Sequence, residues 1–227
     1  MSAICRQLHE ILHALPSVRW PFSAEQLPRN GIYFLFEAGE IWGHGGAHPR
    51  IVRVGTHREG NFRSRMADHF LFSNRKTALS ADRAAPKDRS IFRKNIGRAL
   101  LHAARDPYEE IWNVDFTTRA KREAHSHRRD VAKEGELENE VTRILRESFA
   151  FAWIEIEGQE KRMGIHCLEA PLIGTLAGCR LCQASPQWLG LSSPKAKIAS
   201  GGLWLEQHLR APPLTTEAID ELVASTA

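Results

Sequence analysis

Two short apolar runs in the first quarter of the chain have the pattern of β-strands. The run GIYFLFE begins at Gly31, the run RIVRVGT begins at Arg50, and a loop rich in Gly and His separates them. Alternating apolar positions on both sides of such a spacer predict two antiparallel strands. Residues 61–70 then have helical spacing, with Asn61 as the candidate N-cap.

This predicted helix has two different faces. Phe62, Met66 and Phe70 form an apolar stripe at helical spacing, which favours packing of the stripe against a core. Arg65 and His69 are four residues apart, so they share a separate face, one turn from each other. The polar pair is therefore expected to face something other than the core.

The rest of the chain predicts further helices and one more strand. Helical spacing occurs in four segments, at 3–15, 90–105, 136–148 and 161–177. Pro171 and Gly174 weaken the last of them. The run FAFAWIEIE at 149–157 favours a strand through its β-branched and aromatic content.

The segments between these elements are polar, charged or rich in turn residues. The lead-in before residue 30 is interrupted by Pro21 and Pro28, which predicts irregular structure. Residues 73–90 predict an exposed loop, and 117–135 predict a solvent-exposed or flexible segment. Tryptophan-bearing segments near the C-terminus predict a cover that packs on the rest.

Length and composition are those of a globular protein with one large domain or one domain with appendages. The chain has 227 residues, of which 42% are hydrophobic and 26% charged. No run of about 18 apolar residues occurs, so we expect no membrane-spanning helix and no membrane partner. The N-terminus lacks the apolar core and cleavage site of a signal peptide, which favours a cytoplasmic location.

Four cysteines, Cys5, Cys167, Cys179 and Cys182, are too few to suggest a disulfide framework in a chain of this length. Cys179 and Cys182 form one CxxC pair, which is half of a zinc site. No second CxxC or HxxxH pair follows at a suitable distance. We therefore favour structural thiols over zinc binding or redox chemistry.

Positive charge is concentrated in one third of the chain. The net charge is +4, whereas residues 61–133 contain 17 Lys or Arg against 9 Asp or Glu, a balance of +8. A segregated basic region is typical of a protein that binds phosphate groups. A solvated helical surface explains the same charge count equally well.

Five residues occur in an order that resembles the GIY-YIG nuclease superfamily. Tyr33 ends the tripeptide GIY in the first strand, and Gly55 ends the second strand. Arg65 and His69 follow on a helix. After the next strand, the segment HCLEAPLIGTLA places Glu169 where the family carries its helical glutamate. Each motif is weak alone, since a lone strand tyrosine is ordinarily a core residue, but the shared order is specific.

The resemblance covers residues 29–180, and the segments RVGTH, FRKNIG and WLG also resemble a bacterial group within the superfamily. It implies an α+β sandwich with a small, mainly antiparallel three-stranded sheet flanked by helices. On this reading, residues 1–28 are an N-terminal helix and lead-in, 73–148 a basic helical insertion, and 181–227 a C-terminal extension packed on the domain.

The resemblance also implies a function, that of a metal-dependent endonuclease acting on DNA. Glu169 would hold a single Mg²⁺ or Mn²⁺ ion, with waters completing its shell. Arg65 would grip the scissile phosphate through two parallel hydrogen bonds. Tyr33 would orient or deprotonate the attacking water, and His69 would act as the base or relay the proton.

The second tyrosine of the family name is replaced in this chain. The YIG motif reads Arg53-Val54-Gly55, and the lysine that follows in many relatives is replaced by Thr56-His57. Arg53 could supply positive charge near the phosphate, and His57 could replace the lost phenol or lysine. The expected substrate-binding residues are basic: Arg63, Arg75, Lys76, Arg93 and Lys94.

Two other readings are compatible with the sequence. The chain could be a nucleic-acid-binding module whose site is weakened by Arg53, or a basic scaffold in which Tyr33 and Glu169 are structural. Convergence of the four motif side chains on one cleft would favour the nuclease, because catalytic groups must reach a common substrate atom. Cutting both strands with one such site would require a homodimer or two successive events.

Overall fold

A computed structural model describes residues 2–71, 79–164 and 167–226 of the chain. Its strands are β1 (Val18–Arg19), β2 (Ile32–Ile41), β3 (Pro49–Gly55) and β4 (Phe149–Ile154). Its helices are α1 (Ser2–Ala14), α2 (Phe62–Phe70), α3 (Pro86–Arg89), α4 (Ile91–Ala103), α5 (Glu109–Trp112), α6 (Arg119–His125), α7 (Val131–Ser148), α8 (Gln159–Arg162), α9 (Glu169–Ala177), α10 (Ala196–Gly201) and α11 (Thr216–Thr226). None of these helices is long and apolar enough to cross a membrane.

The strands form one antiparallel sheet in the order β1-β4-β2-β3. This confirms the mixed α+β class and the predicted hairpin, but the prediction of three strands was wrong. The additional strand, β1, lies in the lead-in that the prolines predicted to be irregular. It has only two residues, paired with the outer edge of β4, and two residues are too few to show a period-two pattern.

Helices cover both faces of the sheet, and each face has its own apolar core. Tyr33, Leu35 and Phe151 pack on one face against α2, α4 and α7. Ile32 and Phe34, the alternate positions of β2, pack on the other face against α1, α9 and α11. Because both faces of the strand are buried, β2 is apolar along most of its length.

Helix α2 has its predicted apolar face, but the expectation that both polar residues point away from the core was wrong for His69, which is buried, and holds for the partly exposed Arg65. Phe62, Met66 and Phe70 are fully buried in the first core. Asn61 precedes the helix as expected, although its side chain makes no capping hydrogen bond. This packing fixes the direction in which Arg65 and His69 project.

The helix predicted over 161–177 is instead two shorter helices, α8 and α9. Pro171 is the third residue of α9, where a missing backbone N–H breaks no intrahelical bond. The proline is therefore compatible with the start of a helix and incompatible with a longer one. Glu169 consequently occupies the first turn of α9.

The segment predicted to be exposed or flexible at 117–135 is mostly helical and partly buried. It contains α6 and the first turn of α7. Arg129 donates to Glu134 and lies over the ring of Phe116, at 4.3 Å from the centroid. Pairing with a carboxylate and an aromatic ring is what allows this charged segment to enter the interior.

Candidate active site

Tyr33 lies in an inner strand of the sheet, and its hydroxyl points to helix α2. The hydroxyl oxygen is 2.9 Å from Nε2 of His69. Both residues are 1% exposed, so this hydrogen bond lies inside the protein. The strand register pairs Tyr33 with Gly55 on β3, and Trp153 on β4 lies on its other side.

Gly55 leaves the space that the Tyr33 ring occupies. A Cβ atom at this position would lie 2.2 Å from both Cζ and the hydroxyl oxygen of Tyr33. No side chain fits at such a distance without displacing the ring. The glycine that ends the second strand is therefore required for the position of the phenol.

His69 is held by a second polar contact and by a ring of cations. Its Nδ1 lies 2.7 Å from Oγ of Ser90, the N-cap residue of α4. Burial lowers the pKa of His69 well below its ordinary value, and the charges of Arg53, Arg65 and Arg93 lower it further. The imidazole is therefore neutral near pH 7, a partner for hydrogen bonds and not a fixed positive charge.

Arg65 lies one turn before His69 on α2 and is partly exposed. One of its Nη atoms donates to the carbonyl oxygen of Arg89 at 3.0 Å, and another contact, with Asp68, is 3.9 Å long. Its side chain is 36% exposed, so most of the guanidinium's donors remain accessible to a ligand. Asp68 is shared with the exposed Arg89, at 3.7 Å.

Arg53 and Glu169 line one cavity of about 200 Å³ at the β3 edge of the sheet. Asn95, Trp204 and His208 contribute to its wall. Arg53 lies over the Phe92 ring at 5.0 Å and donates to the carbonyl oxygen of Trp204.

The backbone N–H of Trp204 donates to Val52 of β3 at 2.8 Å, so the C-terminal segment closes the free edge of the sheet. This is the cover that the tryptophan-bearing segments predicted.

The carboxylate of Glu169 is suited to a single divalent cation. Burial raises its pKa, while a hydrogen bond from Thr56 and the nearby charges of His208 and Arg53 act in the opposite direction. Carboxylate oxygen is the ligand that Mg²⁺ prefers, and the ion keeps several waters. Since a water occupies about 30 Å³, the cavity has room for an ion with part of its hydration shell.

The charge of Arg53 acts on residues in both parts of the site. Arg53 is close enough to act on the pKa of both His69 and Glu169, and Arg65 acts on that of His69. Tyr33 is linked to His69 by its hydrogen bond. Tyr33, Arg65 and His69 are not among the residues that line the cavity of Arg53 and Glu169, so convergence of the four motif side chains on one cleft stays a prediction.

His57 is placed differently from the expectation. It is buried, and the backbone N–H of Gly31 donates to its Nε2 at 3.2 Å. Its Nδ1 donates to the carbonyl oxygen of Arg58 at 2.6 Å, and its ring packs edge-on against Phe62. Because both ring nitrogens form hydrogen bonds to the backbone, His57 stabilises the start of β2. This geometry argues against the idea that His57 replaces the phenol of the family's second tyrosine.

The basic residues expected to bind substrate are in very different environments. Arg63 is on the surface of α2, with Nε donating to Leu27 at 2.9 Å. Arg93 is fully buried, and Lys94 is nearly so. Arg75 and Lys76 lie outside the described residues.

The burial of Arg93 and Lys94 corrects the expectation that they form a DNA-binding surface. Arg93 donates to the Glu138 carboxylate at 2.5 and 3.0 Å and to the carbonyl oxygen of His69 at 2.9 Å. Lys94 donates to the carbonyl oxygen of Val114 at 3.2 Å. These cations stabilise the interior and the backbone beneath the site, because a buried charge must be paired.

Ser90 is the site residue that the sequence did not reveal. Its hydroxyl caps α4 by accepting from the backbone N–H of Arg93 at 3.2 Å, and it also contacts His69. A serine before the apolar run of α4 is an ordinary N-cap signal. Nothing in that signal points to a histidine on another helix.

The comparison with known families agrees with the mixed α+β fold. A model described as the GIY-YIG domain matches residues 4–226, which is almost the whole chain. No curated protein and no solved structure is significantly similar to it.

Proposed function

The chain belongs to the GIY-YIG family, and from this premise we propose that it is a metal-dependent endonuclease that hydrolyses phosphodiester bonds in DNA. The observation that carries the proposal is the buried 2.9 Å hydrogen bond between the Tyr33 hydroxyl and His69 Nε2. Arg53 connects this pair to the cavity that contains Glu169.

In this proposal Tyr33 orients the attacking water and takes its proton. A phenol is ordinarily protonated at neutral pH, so the role requires an acceptor and nearby positive charge. The neutral imidazole of His69 is the acceptor at hydrogen-bond distance. The charges of Arg53 and Arg65 keep the resting imidazole neutral. In this proposal His69 accepts the phenol proton only while the phenol takes the proton of the water.

Glu169 is the residue that would hold the divalent ion. When bound, Mg²⁺ or Mn²⁺ would neutralise charge on the phosphoryl oxygens and on the leaving oxygen. The Glu169 carboxylate would supply the hard oxygen ligand at the wall of the cavity that Arg53 also lines.

The two arginines near the cavity would act on the phosphate. Arg65 is accessible and presents a planar fork of donors, which matches two phosphate oxygens. Arg53 is nearly buried and held over Phe92, so it would contribute a fixed positive charge beside Glu169. In this proposal Arg53 replaces the electrostatic contribution of the family's second tyrosine, not its proton chemistry.

The experiment is a cleavage assay with plasmid, single-stranded and branched DNA in Mg²⁺, Mn²⁺ or EDTA. We expect cleavage with either metal and none with EDTA. Glu169→Gln, which removes the charge and keeps the shape, should abolish cleavage and leave DNA binding nearly unchanged. Binding without cleavage by the wild-type protein in every metal would instead favour the weakened binding module.

The chain provides a matched control for the tyrosine. Tyr33 and Tyr108 are its two tyrosines, both are buried, and Tyr108 donates to the carbonyl oxygen of Asp130 at 3.1 Å. Tyr33→Phe should lower turnover about 10²-fold or more, the scale of general acid–base catalysis. Tyr108→Phe, the same chemical change far from the site, should leave turnover unchanged. Full activity in Tyr33→Phe would contradict the proposed mechanism.

A further inference from the structure

Four potential metal ligands from distant parts of the chain meet beside the second apolar core. Cys5 is on helix α1, His44 is in the loop between β2 and β3, and Cys179 and Cys182 follow helix α9. All three cysteines are buried, and His44 is partly buried. Cys167, the fourth cysteine of the chain, is also buried but is not one of this group.

Two distances within this group match edges of a metal tetrahedron. The sulfur atoms of Cys5 and Cys182 are 3.8 Å apart, and Cys179 Sγ is 3.6 Å from His44 Nε2. Metal bonds of about 2.3 Å to sulfur and about 2.0 Å to nitrogen give tetrahedral edges of about 3.8 Å and about 3.6 Å, respectively.

His9 is close to this group, but its ring nitrogens are used elsewhere. Ligand atoms of Cys5, His9, His44 and Cys182 lie within 4.8 Å of one another. However, the backbone N–H of Ile51 donates to His9 Nε2 at 3.1 Å, which makes Nε2 an acceptor. The proton is then on Nδ1, which donates to the carbonyl oxygen of Cys5 at 2.9 Å. His9 therefore positions helix α1, and Cys179 is the better fourth ligand.

The backbone around the cysteines is also arranged for a thiolate. The N–H of Gly43 donates to Cys182 Sγ at 3.5 Å, the type of outer contact that orients a metal ligand. A Cβ atom on Gly43 would lie 1.8 Å from the carbonyl oxygen of Leu181, within the CxxC segment. Only glycine allows the hairpin loop to approach the cysteines this closely.

We propose that Cys5, His44, Cys179 and Cys182 bind one Zn²⁺ ion as a closed Cys₃His site. Three thiolates and an imidazole are the ligands that Zn²⁺ prefers, and four protein ligands leave no open position, which is typical of a structural site. The ion would tie α1, the hairpin loop and the end of α9 together. Glu169 is ten residues before Cys179, at the other end of α9, about 15 Å along a helix.

The site differs from the family's catalytic cation in ligands and in place. Its ligands are soft sulfur atoms and an imidazole, whereas Glu169 offers a hard carboxylate oxygen. Zinc content can therefore be measured without reference to DNA cleavage, and either proposal can fail without the other.

The test is metal analysis of the full-length protein purified without chelators. We expect one zinc per chain by elemental mass spectrometry, and loss of it in Cys179→Ser and in Cys182→Ser. Cys167→Ser is the matched control, because it removes a buried cysteine outside the group and should retain the zinc. A zinc-free wild-type protein that cannot be reconstituted would overturn the proposal, as would a disulfide between Cys5 and Cys182.

Reconstitution with Co²⁺ gives a second measurement that does not depend on how well a variant folds. After zinc is removed from the wild-type protein, stoichiometric Co²⁺ should produce absorption bands of a tetrahedral ion with thiolate charge transfer. The charge-transfer intensity per ion should correspond to three thiolates. An intensity for two thiolates would overturn the assignment of Cys179 in favour of His9, and octahedral Co²⁺ bands would overturn the site.

Discussion

Replacing Gly55 by alanine should reduce activity, because the added methyl group displaces the side chain of Tyr33. The added Cβ would lie 2.2 Å from the hydroxyl oxygen of Tyr33, and ordinary contact begins at 3.4 Å. The phenol must therefore move by about 1.2 Å. Such a shift breaks the 2.9 Å hydrogen bond to His69 unless both residues move together, which the buried packing around them opposes.

The magnitude follows from this displacement. Misplacement of a catalytic group by about 1 Å costs on the order of 10²-fold in rate. Overpacking of a buried site costs about 1–3 kcal/mol of unfolding free energy. We therefore expect Gly55→Ala to lose about 10²-fold in turnover while remaining folded. Gly135→Ala, within helix α7, places its Cβ 3.6 Å from Leu79, an ordinary contact, and should cost neither activity nor stability.

The assay combines Gly55→Ala with Tyr33→Phe in a double-mutant cycle of cleavage rates, with urea unfolding of each variant. If both changes act through the hydroxyl, the double variant should lose about as much activity as either single variant, about 10²-fold and not about 10⁴-fold. Multiplicative losses would refute the reasoning. So would a Gly55→Ala protein with wild-type turnover, since the geometry leaves no room for the methyl group.

Three further predictions concern the interior and the surface near the site. Glu138→Gln should lower the unfolding free energy, measured by urea titration, by about 3–5 kcal/mol, because it leaves Arg93 buried with an uncompensated charge. A change below about 1 kcal/mol, the range of exposed ion pairs, would contradict the buried pairing. Because the pKa of His69 is lowered in the folded state, the unfolded chain binds more protons than the folded protein below about pH 6.5. In this pH range the unfolding free energy should fall as the pH decreases. The fall should be steeper than in His69→Gln by up to about 1.4 kcal/mol per pH unit. Parallel pH profiles of the two proteins would exclude a neutral buried His69. Neutralising the exposed Arg63 by Gln should reduce the log–log salt dependence of DNA affinity by about one unit, and an unchanged slope would remove Arg63 from the interface.

The sequence by itself determined the local elements around the site. The hairpin, helix α2 and strand β4 follow from apolar periodicity, which depends on near neighbours along the chain. The resemblance to the GIY-YIG family, and not periodicity, singled out Tyr33, Arg65, His69 and Glu169 as candidate site residues. Periodicity also states that Phe62, Met66 and Phe70 of α2 face the core, and they do, but it did not predict the burial of His69.

Charge counts were less informative, because burial of a charge depends on a partner that is remote in sequence. Arg93 and Lys94 contribute to a basic segment in the sequence, yet the fold buries both. Glu138, which pairs with Arg93, is 45 residues away. A count of charges cannot distinguish a cation that faces solvent from one that is neutralised inside.

Only the tertiary structure decided which distant side chains meet. It brought Ser90 to His69 across 21 residues, and Cys5 to Cys182 across 177. In the proposed zinc site, the CxxC pair is half of the ligand set, and the other ligands come from the first helix and the hairpin loop. Such contacts are set by how helices pack on the two faces of the sheet, and packing of this kind leaves no short-range pattern in the sequence.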